Sequence, residues 1–229
     1  MRQVFNALPW IPPREYEAIE KIYYKHGRIH RFTKNSILKC GGECNKLFFL
    51  KKGLCCYLVN YNREKPRMMA LLPPGRAMGD LTCMTGDIVN VTTYALRDSD
   101  VLTLPPDILE KYMQKDFSLA KAVLKTAVAK QECHLEGMIA NFTLTPEERL
   151  KLFFKVMLAA AGKEEAEWNV MPLKLKIEEY GLIINATRVT VSRMISRWKE
   201  AGLIKKESGS IVVNKVLISD VYDWHNHII

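Results

Sequence analysis

The sequence lacks long apolar stretches. Although 48% of its 229 residues are hydrophobic, no run approaches the eighteen or so apolar residues that a membrane-spanning helix needs. The N-terminal stretch "MRQVFNALPWIPPREYE" has no continuous apolar core before its prolines, so it does not resemble a secretion signal. We therefore expect a globular, cytoplasmic protein without a membrane partner.

Cysteine and histidine are also scarce. The six cysteines form no paired CxxC set with zinc spacing, and a cytosolic chain of this length needs no disulfides, so most of them should be packing residues. They stand at Cys40, Cys44, Cys55, Cys56, Cys83 and Cys133. A catalytic β barrel that binds a metal needs histidines on neighbouring strands, and we place none of the five inside the strand region proper. We expect neither an enzyme nor a metal site.

Positive charge is in excess, and it is concentrated late in the chain. The formal net charge is +9, which by itself indicates only an anionic partner. Within residues 187 to 206, six basic side chains face a single acidic one, Glu200. This local excess makes the C-terminal part the first place to look for a nucleic-acid contact.

The first half of the chain predicts a helix followed by a barrel. Residues 13 to 25 start with proline and have apolar side chains at helical spacing, at Tyr16, Ile19, Ile22 and Tyr23. From Gly27 to Leu104, short apolar runs alternate with glycine, proline, asparagine and aspartate, the pattern of an antiparallel β barrel or roll. The fold class is therefore α+β.

A long helix is predicted after the barrel. Following a short helix in "PPDILEKYM", residues 117 to 142 contain no proline and carry an apolar seam at alternating steps of four and three. The seam predicts a dimer interface. We assign to that interface Leu124, Val128, Gln131, Leu135, Met138 and Phe142. A single helix packed on its own barrel is the alternative, but Lys121 and Gln131 fit a monomer core poorly.

Two further stretches predict a winged helix-turn-helix. Thr145, Pro146 and Glu148 form a capping box that starts a helix ending near Gly162. After "KIEEYGLII", Asn185 suits a tight turn between helices and Thr187 suits an N-cap. "GLIKKESGSIVVNK" predicts a two-stranded hairpin, the wing, which turns at Gly209.

The second helix of this motif has two faces. Val191, Met194, Ile195 and Trp198 should pack inward, while the opposite face is free to enter a major groove, where arginine recognises guanine and apolar groups meet thymine methyls. We predict that DNA contacts come from this helix and the wing. The residues are Thr187, Arg188, Val189, Thr190, Ser192, Arg193, Arg197, Lys205 and Lys206. The alternative is a solvated helical hairpin with surface arginines.

The order of these segments resembles the CRP/FNR family of bacterial transcription regulators. The resemblance rests on "LFFLKKGLCCYLV", "LPPGRAMGDLTCMTGD", the long helix and "KIEEYGLIINATRVTVSRMISRWKEAGLIKKESGSIVV". It implies a cyclic-nucleotide-binding-like β roll and dimerisation helix in residues 1 to 143, and a winged helix-turn-helix in residues 144 to 229. It also implies a homodimer, a palindromic operator, a small-molecule effector and RNA polymerase as a partner.

Departures from the family pattern narrow the chemical class of the expected effector. Where cyclic-nucleotide members keep an Arg-Ser pair, this chain has Asn90-Val91, and His134-Leu135 replace the Thr-Ser pair that contacts adenine. A cyclic nucleotide is therefore not expected. The first 39 residues contain no cysteine, which argues against the iron-sulfur cluster of oxygen-sensing members. Haem stays an alternative, with Cys83 or His134 as ligand, and so does thiol-based redox sensing.

An organic effector is the remaining expectation. Positions matching the family's ligand pocket are largely apolar, which suits a small apolar or aromatic molecule, with Lys130 available for a carboxylate. They are Tyr57, Met69, Met78, Gly79, Leu81, Asn90, Val91, Lys130, His134 and Leu135. The segment "MTGDIVNVTTYA" is similar to halorespiration-type regulators that bind aromatic acids. Alternatively, Met and Tyr simply fill the roll and His134 is a solvated helix residue.

The recognition helix departs from the family as well. Many members have Arg-Glu at its start, whereas this chain has Arg188-Val189. Because valine cannot accept a hydrogen bond from cytosine, we expect an A/T-rich half-site.

Overall fold

The computed structural model describes residues 4–40, 42, 45–59, 66–163 and 166–221. The chain divides into two compact units, Pro12–Gln131 and a second unit that combines Met1–Ile11 with Glu132–Ile229. The division falls inside the long helix and not at residue 143, and the N-terminal segment belongs with the C-terminal unit. The backbone N–H groups of Val4 and Phe5 donate to Oε1 of buried Glu136, at 2.7 and 2.5 Å.

A β roll forms the first unit and confirms the predicted fold class. Its strands are β1 (Arg28–Phe32), β2 (Ile37–Cys40), β3 (Leu47–Lys52), β4 (Cys55–Val59), β5 (Arg67–Leu72), β6 (Arg76–Met78), β7 (Thr92–Ala95) and β8 (Ser99–Leu104). They pair antiparallel in two four-stranded sheets, with orders β1-β8-β3-β6 and β2-β7-β4-β5. Side chains from both sheets meet in one apolar cluster, made of Leu50, Cys55, Leu72, Met78, Ala95 and Val101.

Helix α1 (Glu17–His26) covers the first sheet. Ile19, Ile22 and Tyr23 are buried as predicted, but the helix begins four residues after Pro13, and Tyr16 is its exposed N-cap residue. Most side chains of strand β1 are exposed, so its sequence does not alternate between apolar and polar residues. For this reason the sequence pattern did not identify it as a strand. The expectation that no histidine lies on a strand was wrong, since His30 belongs to β1.

Three more helices belong wholly or partly to this unit. They are α2 (Asp80–Thr85), α3 (Pro106–Lys115) and the long α4 (Phe117–Thr143). The 27 residues of α4 confirm the predicted long helix. Its inward residues Leu119 and Val123 join a second apolar cluster with α1 and the first sheet.

The rest of the chain forms the winged helix-turn-helix, also as predicted. Its elements are α5 (Pro146–Ala160), β9 (Trp168–Val170), α6 (Ile177–Ile183), α7 (Arg188–Glu200), β10 (Ile204–Glu207), β11 (Ser210–Asn214) and α8 (Val216–Ser219). The strands form one antiparallel sheet in the order β10-β11-β9. The capping box of Thr145 and Glu148 is present, and the wing turns at Ser208 and Gly209 with positive φ angles of 50° and 78°.

Aromatic packing holds this second unit together. Phe153 lies edge-on to Trp10 at 5.9 Å and to Tyr180 at 6.0 Å, while Phe154 contacts Trp198 of α7. The recognition helix is thereby fixed to α5 through a buried aromatic core.

Among the residues that the structure describes, no helix is both long and apolar enough to cross a membrane.

Candidate DNA-binding face and effector region

The turn between α6 and α7 has the geometry that its residues predict. Asn185 adopts a left-handed conformation with φ of 52°, which asparagine tolerates better than most residues. Thr187 caps α7, since its hydroxyl accepts a hydrogen bond from the Thr190 amide at 3.1 Å. Gly181 is required by space, because a Cβ there would lie 2.7 Å from the Ala186 carbonyl oxygen. These local features fix the entry angle of α7.

Helix α7 has the two faces that its sequence predicts. Val191, Met194, Ile195 and Trp198 are buried. The opposite face is exposed along the first two turns and consists of Arg188, Val189, Ser192 and Arg193. Val189 is 56% exposed although it is a large apolar residue. The helix therefore presents arginines and one valine to solvent, while its N-terminal amides carry the partial positive charge that attracts phosphate.

Three of the predicted DNA contacts already have acidic partners. Arg188 Nε lies 2.8 Å from Oε1 of Glu178, and Arg197 pairs with Glu147 of α5. Lys205 Nζ lies 2.7 Å from Oε1 of Glu207 and 4.4 Å from the centre of the Trp168 ring. All three basic side chains are exposed at least in part, so each pair costs little to exchange for a phosphate or a base.

Arg193 and Lys206 differ from those three. Both are exposed, and neither forms an ion pair with any residue that the structure describes. They are the basic groups that can meet DNA without first losing a partner.

Sequence analysis missed Arg149, which ties this motif to the end of α4. Its guanidinium is buried and donates to the carbonyls of Asn141, at 2.6 Å, and Asn185, at 3.5 Å. Burial lowers the pKa of Arg149 from its ordinary value. No local pattern identifies this role, because Asn185 lies 36 residues further along the chain.

The predicted seam of α4 lies wholly on the surface of the chain. All eight seam positions are exposed, including Leu124 at 63% and Phe142 at 82%. They are Phe117, Lys121, Leu124, Val128, Gln131, Leu135, Met138 and Phe142. The alternative, in which this face packs on the chain's own barrel, is therefore wrong. A row of exposed large apolar side chains on one helix face is a feature of interaction surfaces.

Lys130 is not available in the way the sequence suggested. Its ammonium is buried and lies 2.5 Å from Oε1 of Glu15 and 2.5 Å from Oδ2 of Asp80. It also donates to the Ala77 carbonyl at 3.2 Å. Because an ammonium has three N–H donors, all are used, and none is left for an effector carboxylate.

The triad of Glu15, Asp80 and Lys130 has two carboxylates for one ammonium. Desolvation raises the pKa of Glu15 above its ordinary value, an effect that Lys130 opposes and Asp80 reinforces. Burial alone would lower the pKa of Lys130, but the carboxylates of Asp80 and Glu15 outweigh it, so that pKa is raised. The lysine therefore stays charged.

Two of the other predicted effector residues lie inside the roll. Met78 belongs to the apolar cluster inside the roll and Tyr57 packs against it, which favours the alternative that both fill the roll. Asn90 is exposed, and the side chain of Leu81 lies outside the described part of the chain.

Among the described residues, the roll contains a cavity beside helix α2 and another between its strands. One, of about 210 Å³, lies beside Cys83, Met84 and Met113. The other, of about 290 Å³, opens among β1, β2, β3 and β8. None of the ten predicted effector residues lines either cavity.

Comparison with known proteins assigns both units. The family model of the cyclic nucleotide-binding domain matches residues 29–116, and that of the Crp-like helix-turn-helix domain matches residues 150–216. The chain belongs to the CRP/FNR family. As a CRP/FNR protein it is a DNA-binding transcription regulator with an effector-binding domain, and not an enzyme.

Individual relatives of this CRP/FNR protein are distant in sequence. It is 25% identical over 193 residues to the global nitrogen regulator of Nostoc sp. strain PCC 7120, with 82% of this chain and 85% of the relative covered. The structure of FixK2 from Bradyrhizobium japonicum superposes with a TM-score of 0.73 at 16% identity, covering 86% of this chain and 98% of FixK2. CprK in complex with OCPA has a TM-score of 0.68 at 20% identity, covering 90% and 95%.

Cys83, one of the two haem ligands that the sequence offers, lines the smaller of the two cavities described above. The cavity beside Cys83 is smaller than the roughly 300 to 1,000 Å³ typical of pockets for drug-sized ligands. No three His, Cys, Asp or Glu side chains gather as a metal site in the part of the chain that the structure covers.

Three of the five cysteines that the structure describes are inaccessible, and Cys44 lies outside the described residues. Cys55, Cys56 and Cys133 are buried, Cys40 is exposed and Cys83 is half-buried. Burial raises the pKa of Cys55 to about 11, so its thiolate is scarce at neutral pH.

Proposed function

We propose that this regulator is a homodimer that binds a palindromic, A/T-rich operator and responds to a small effector other than a cyclic nucleotide. The observation that carries the proposal is the exposed apolar face of α4. Its eight positions repeat over more than three heptads, so a second copy of the helix can bury them in a two-stranded coiled coil.

A two-fold dimer determines the form of the operator. Two copies of α7 related by such an axis enter successive major grooves about 34 Å apart, and each reads the same half-site in opposite orientation. Arg188 and Arg193 are the proposed base contacts. Thr187, Thr190, Ser192, Arg197, Lys205 and Lys206 are proposed to contact or steer the phosphates. Binding to DNA also implies the cytoplasm as location and RNA polymerase as a partner.

The A/T preference rests on Val189. Its side chain is exposed on the first turn of α7, where it can pack on a thymine methyl and cannot accept a hydrogen bond from cytosine. The half-site is therefore expected to lack the guanine-cytosine core that an Arg-Glu pair selects.

The effector region is unsuited to a cyclic phosphate. Residues 79 to 91 contain no lysine or arginine, and their charged members are Asp80 and Asp87. The ammonium of Lys130, which could have taken an anion, is neutralised by two carboxylates. We therefore propose that an effector contacting this region is a small apolar molecule that places no charged group against Lys130.

A thiol-based sensor of the same family is the second candidate. The accessible described thiols are Cys40 and Cys83. If oxidation controls the regulator, replacing Cys40, Cys83 and Cys44, which lies outside the described residues, with serine abolishes the response of operator binding to peroxide, whereas replacing buried Cys55 does not. The haem alternative predicts a visible absorption band in the freshly purified protein.

Selection of DNA from a random library tests the main proposal. The expected result is an inverted repeat with half-site centres about 10 base pairs apart and an A/T-rich half-site. A single unrepeated site contradicts the dimer, and a guanine-cytosine core contradicts the role of Val189. Selection with Val189→Glu is the matched control, because the restored carboxylate should shift the preference toward cytosine.

A further inference from the structure

The first described residues of the chain pack on the DNA-binding unit. We call residues 4–11 the N-terminal strap, and they belong to the same compact unit as Glu132–Ile229. The backbone N–H groups of Val4 and Phe5 both donate to Oε1 of Glu136 on α4, whose side chain is fully buried. Because a buried carboxylate is costly unless it accepts hydrogen bonds, these two bonds hold the start of the strap on α4.

Trp10 anchors the other end of the strap. Its side chain is 1% exposed and its backbone has a positive φ of 63°, which a bulky residue adopts only where its surroundings hold it. The ring lies against Gly137 of α4, where a Cβ would be 3.0 Å from Cδ1 and 3.2 Å from Nε1 of the indole. Nε1 has no hydrogen-bond partner among the described residues. Trp10 is therefore held by the shape of its site and by ring contacts.

A continuous chain of buried aromatic rings leads from Trp10 to the recognition helix. The ring centre of Trp10 lies 5.9 Å from that of Phe153 on α5, which lies 6.0 Å from that of Tyr180 on α6. The ring of Tyr180 is 5.8 Å from that of Phe154, which is 6.3 Å from that of Trp198 on α7. All four contacts are edge-on, and all five side chains are buried. In so closely packed a core, one ring cannot move without opening a void or displacing the next.

We infer that Trp10 is a positioning residue for DNA binding, and that it acts through this chain of rings to set the orientation of α7. The N-terminal strap is thus part of the DNA-binding unit, although it precedes the effector domain in the sequence. The inference rests on the DNA-binding activity of the family, and it requires neither a dimer nor an A/T-rich operator. If Trp10 served only the stability of the fold, the loss of another buried ring of similar size would affect DNA binding equally.

Magnetic resonance of the full-length isotope-labelled protein tests the route to α7 in the absence of DNA. Trp10→Leu removes the ring that contacts Phe153, so it should shift the indole N–H resonance of Trp198 and the amide resonances of α7. Tyr23→Leu is the matched control, because it removes a buried ring that stacks on Phe49 in the effector domain. Tyr23→Leu should leave the α7 resonances unchanged.

Affinity for DNA tests the consequence. The probe is the duplex that the original protein enriches from a random library, whatever its sequence, and the measurement is fluorescence anisotropy at a temperature where circular dichroism shows the variants folded. Trp10→Leu should weaken binding about fivefold, whereas Tyr23→Leu should stay within about twofold of the original. Trp10→Phe keeps a ring at the contact and loses an N–H group that has no described partner, so it should restore most of the affinity.

Gly137→Ala perturbs the same contact with the indole still in place, and it decides the matter if Trp10→Leu does not fold. Alanine is a better helix former than glycine, so α4 itself is not weakened. The new methyl would lie 3.0 Å from the indole and must displace it. We expect shifted Trp198 resonances and a loss of about two- to threefold in DNA affinity.

Three results would overturn the inference. Unchanged α7 resonances in both Trp10→Leu and Gly137→Ala would show that the ring chain does not transmit a displacement to α7. An equal loss of DNA affinity in Tyr23→Leu would show a general effect of stability. Binding by Trp10→Phe that is as weak as binding by Trp10→Leu would show that the ring contact with Phe153 is not the cause.

Discussion

Lys130 Nζ lies 2.5 Å from Oδ2 of Asp80, so the long helix α4 is joined to the short helix α2 inside the roll. Glu15, just before α1, completes the triad at 2.5 Å. All three residues are at least nine-tenths buried. This contact replaces the ligand role that sequence position suggested for Lys130, and it ties together three elements of the effector domain.

Removing the ammonium should destabilise the effector domain severely. In Lys130→Met, two buried carboxylates lose their common counter-ion, and breaking a buried ion pair in this way costs about 3 to 5 kcal/mol. Urea unfolding at pH 7 measures the loss. Lys125→Met, an exposed position on the same helix, is the control and should change the free energy of unfolding by less than about 0.5 kcal/mol.

The raised pKa of Glu15 predicts a specific dependence of stability on pH. A carboxyl with a folded-state pKa above its ordinary 4.5 holds its proton more tightly in the folded protein. The folded state therefore loses stability as the pH rises from 4.5 through the folded-state pKa. Glu15→Gln removes this dependence, so the variant should gain stability relative to the original protein as the pH rises from 4.5 through the folded-state pKa of Glu15.

Urea unfolding at several pH values checks this expectation. Glu17→Gln serves as the control, because Glu17 is exposed and its pKa is lowered by Lys21. If the free energies of unfolding of Glu15→Gln and of the original protein change with pH in the same way, the raised pKa of Glu15 is contradicted.

The exposed seam predicts that one charge on α4 separates the subunits. Leu124→Glu places a carboxylate at a position that is 63% exposed in the single chain and buried in the proposed dimer. Sedimentation equilibrium should show a monomer with unchanged circular dichroism. Val216→Glu makes the same chemical change at a position that is 60% exposed but off the seam, and it should remain dimeric. Dissociation of both variants, or of neither, would contradict the interface.

Arg193 should contribute to operator binding directly. Its side chain is exposed and has no ion pair with a described residue, so Arg193→Ala loses a DNA contact without disturbing the fold. We expect a loss of about 1 to 3 kcal/mol in operator affinity, measured by fluorescence anisotropy at fixed salt. Lys115→Ala removes one charge from α3 of the effector domain, and its affinity should stay within twofold of the original.

Gly181 should be indispensable for the helix-turn-helix. Gly181→Ala brings a methyl within 2.7 Å of the Ala186 carbonyl oxygen, and the backbone must shift to relieve it. We expect a cost of about 1 to 3 kcal/mol in the stability of the C-terminal unit and weaker DNA binding. Gly209→Asn is the comparison: a Cβ there meets nothing within 4 Å, and asparagine tolerates its positive φ. Equal thermal unfolding of the two variants would count against the steric argument.

Much of the architecture follows from short-range sequence patterns. The capping box at Thr145, the left-handed turn at Asn185 and the inward face at Trp198 depend on chemistry within one or two helical turns, and all were predicted correctly. The register of the α4 seam is local in the same sense, because helical periodicity alone determines which side chains share a face.

Only the tertiary structure decided which charged groups already have an ion-pair partner. Residue type and family position offered Lys130 to an effector and Arg188 to DNA, but the partners Asp80 and Glu178 reach them only through the folded chain. The N-terminal segment is the most distant case, since Val4 meets Glu136 across 132 residues of sequence. Helices and turns are thus determined by neighbouring residues, whereas the pairing of buried charges depends on which elements folding brings together.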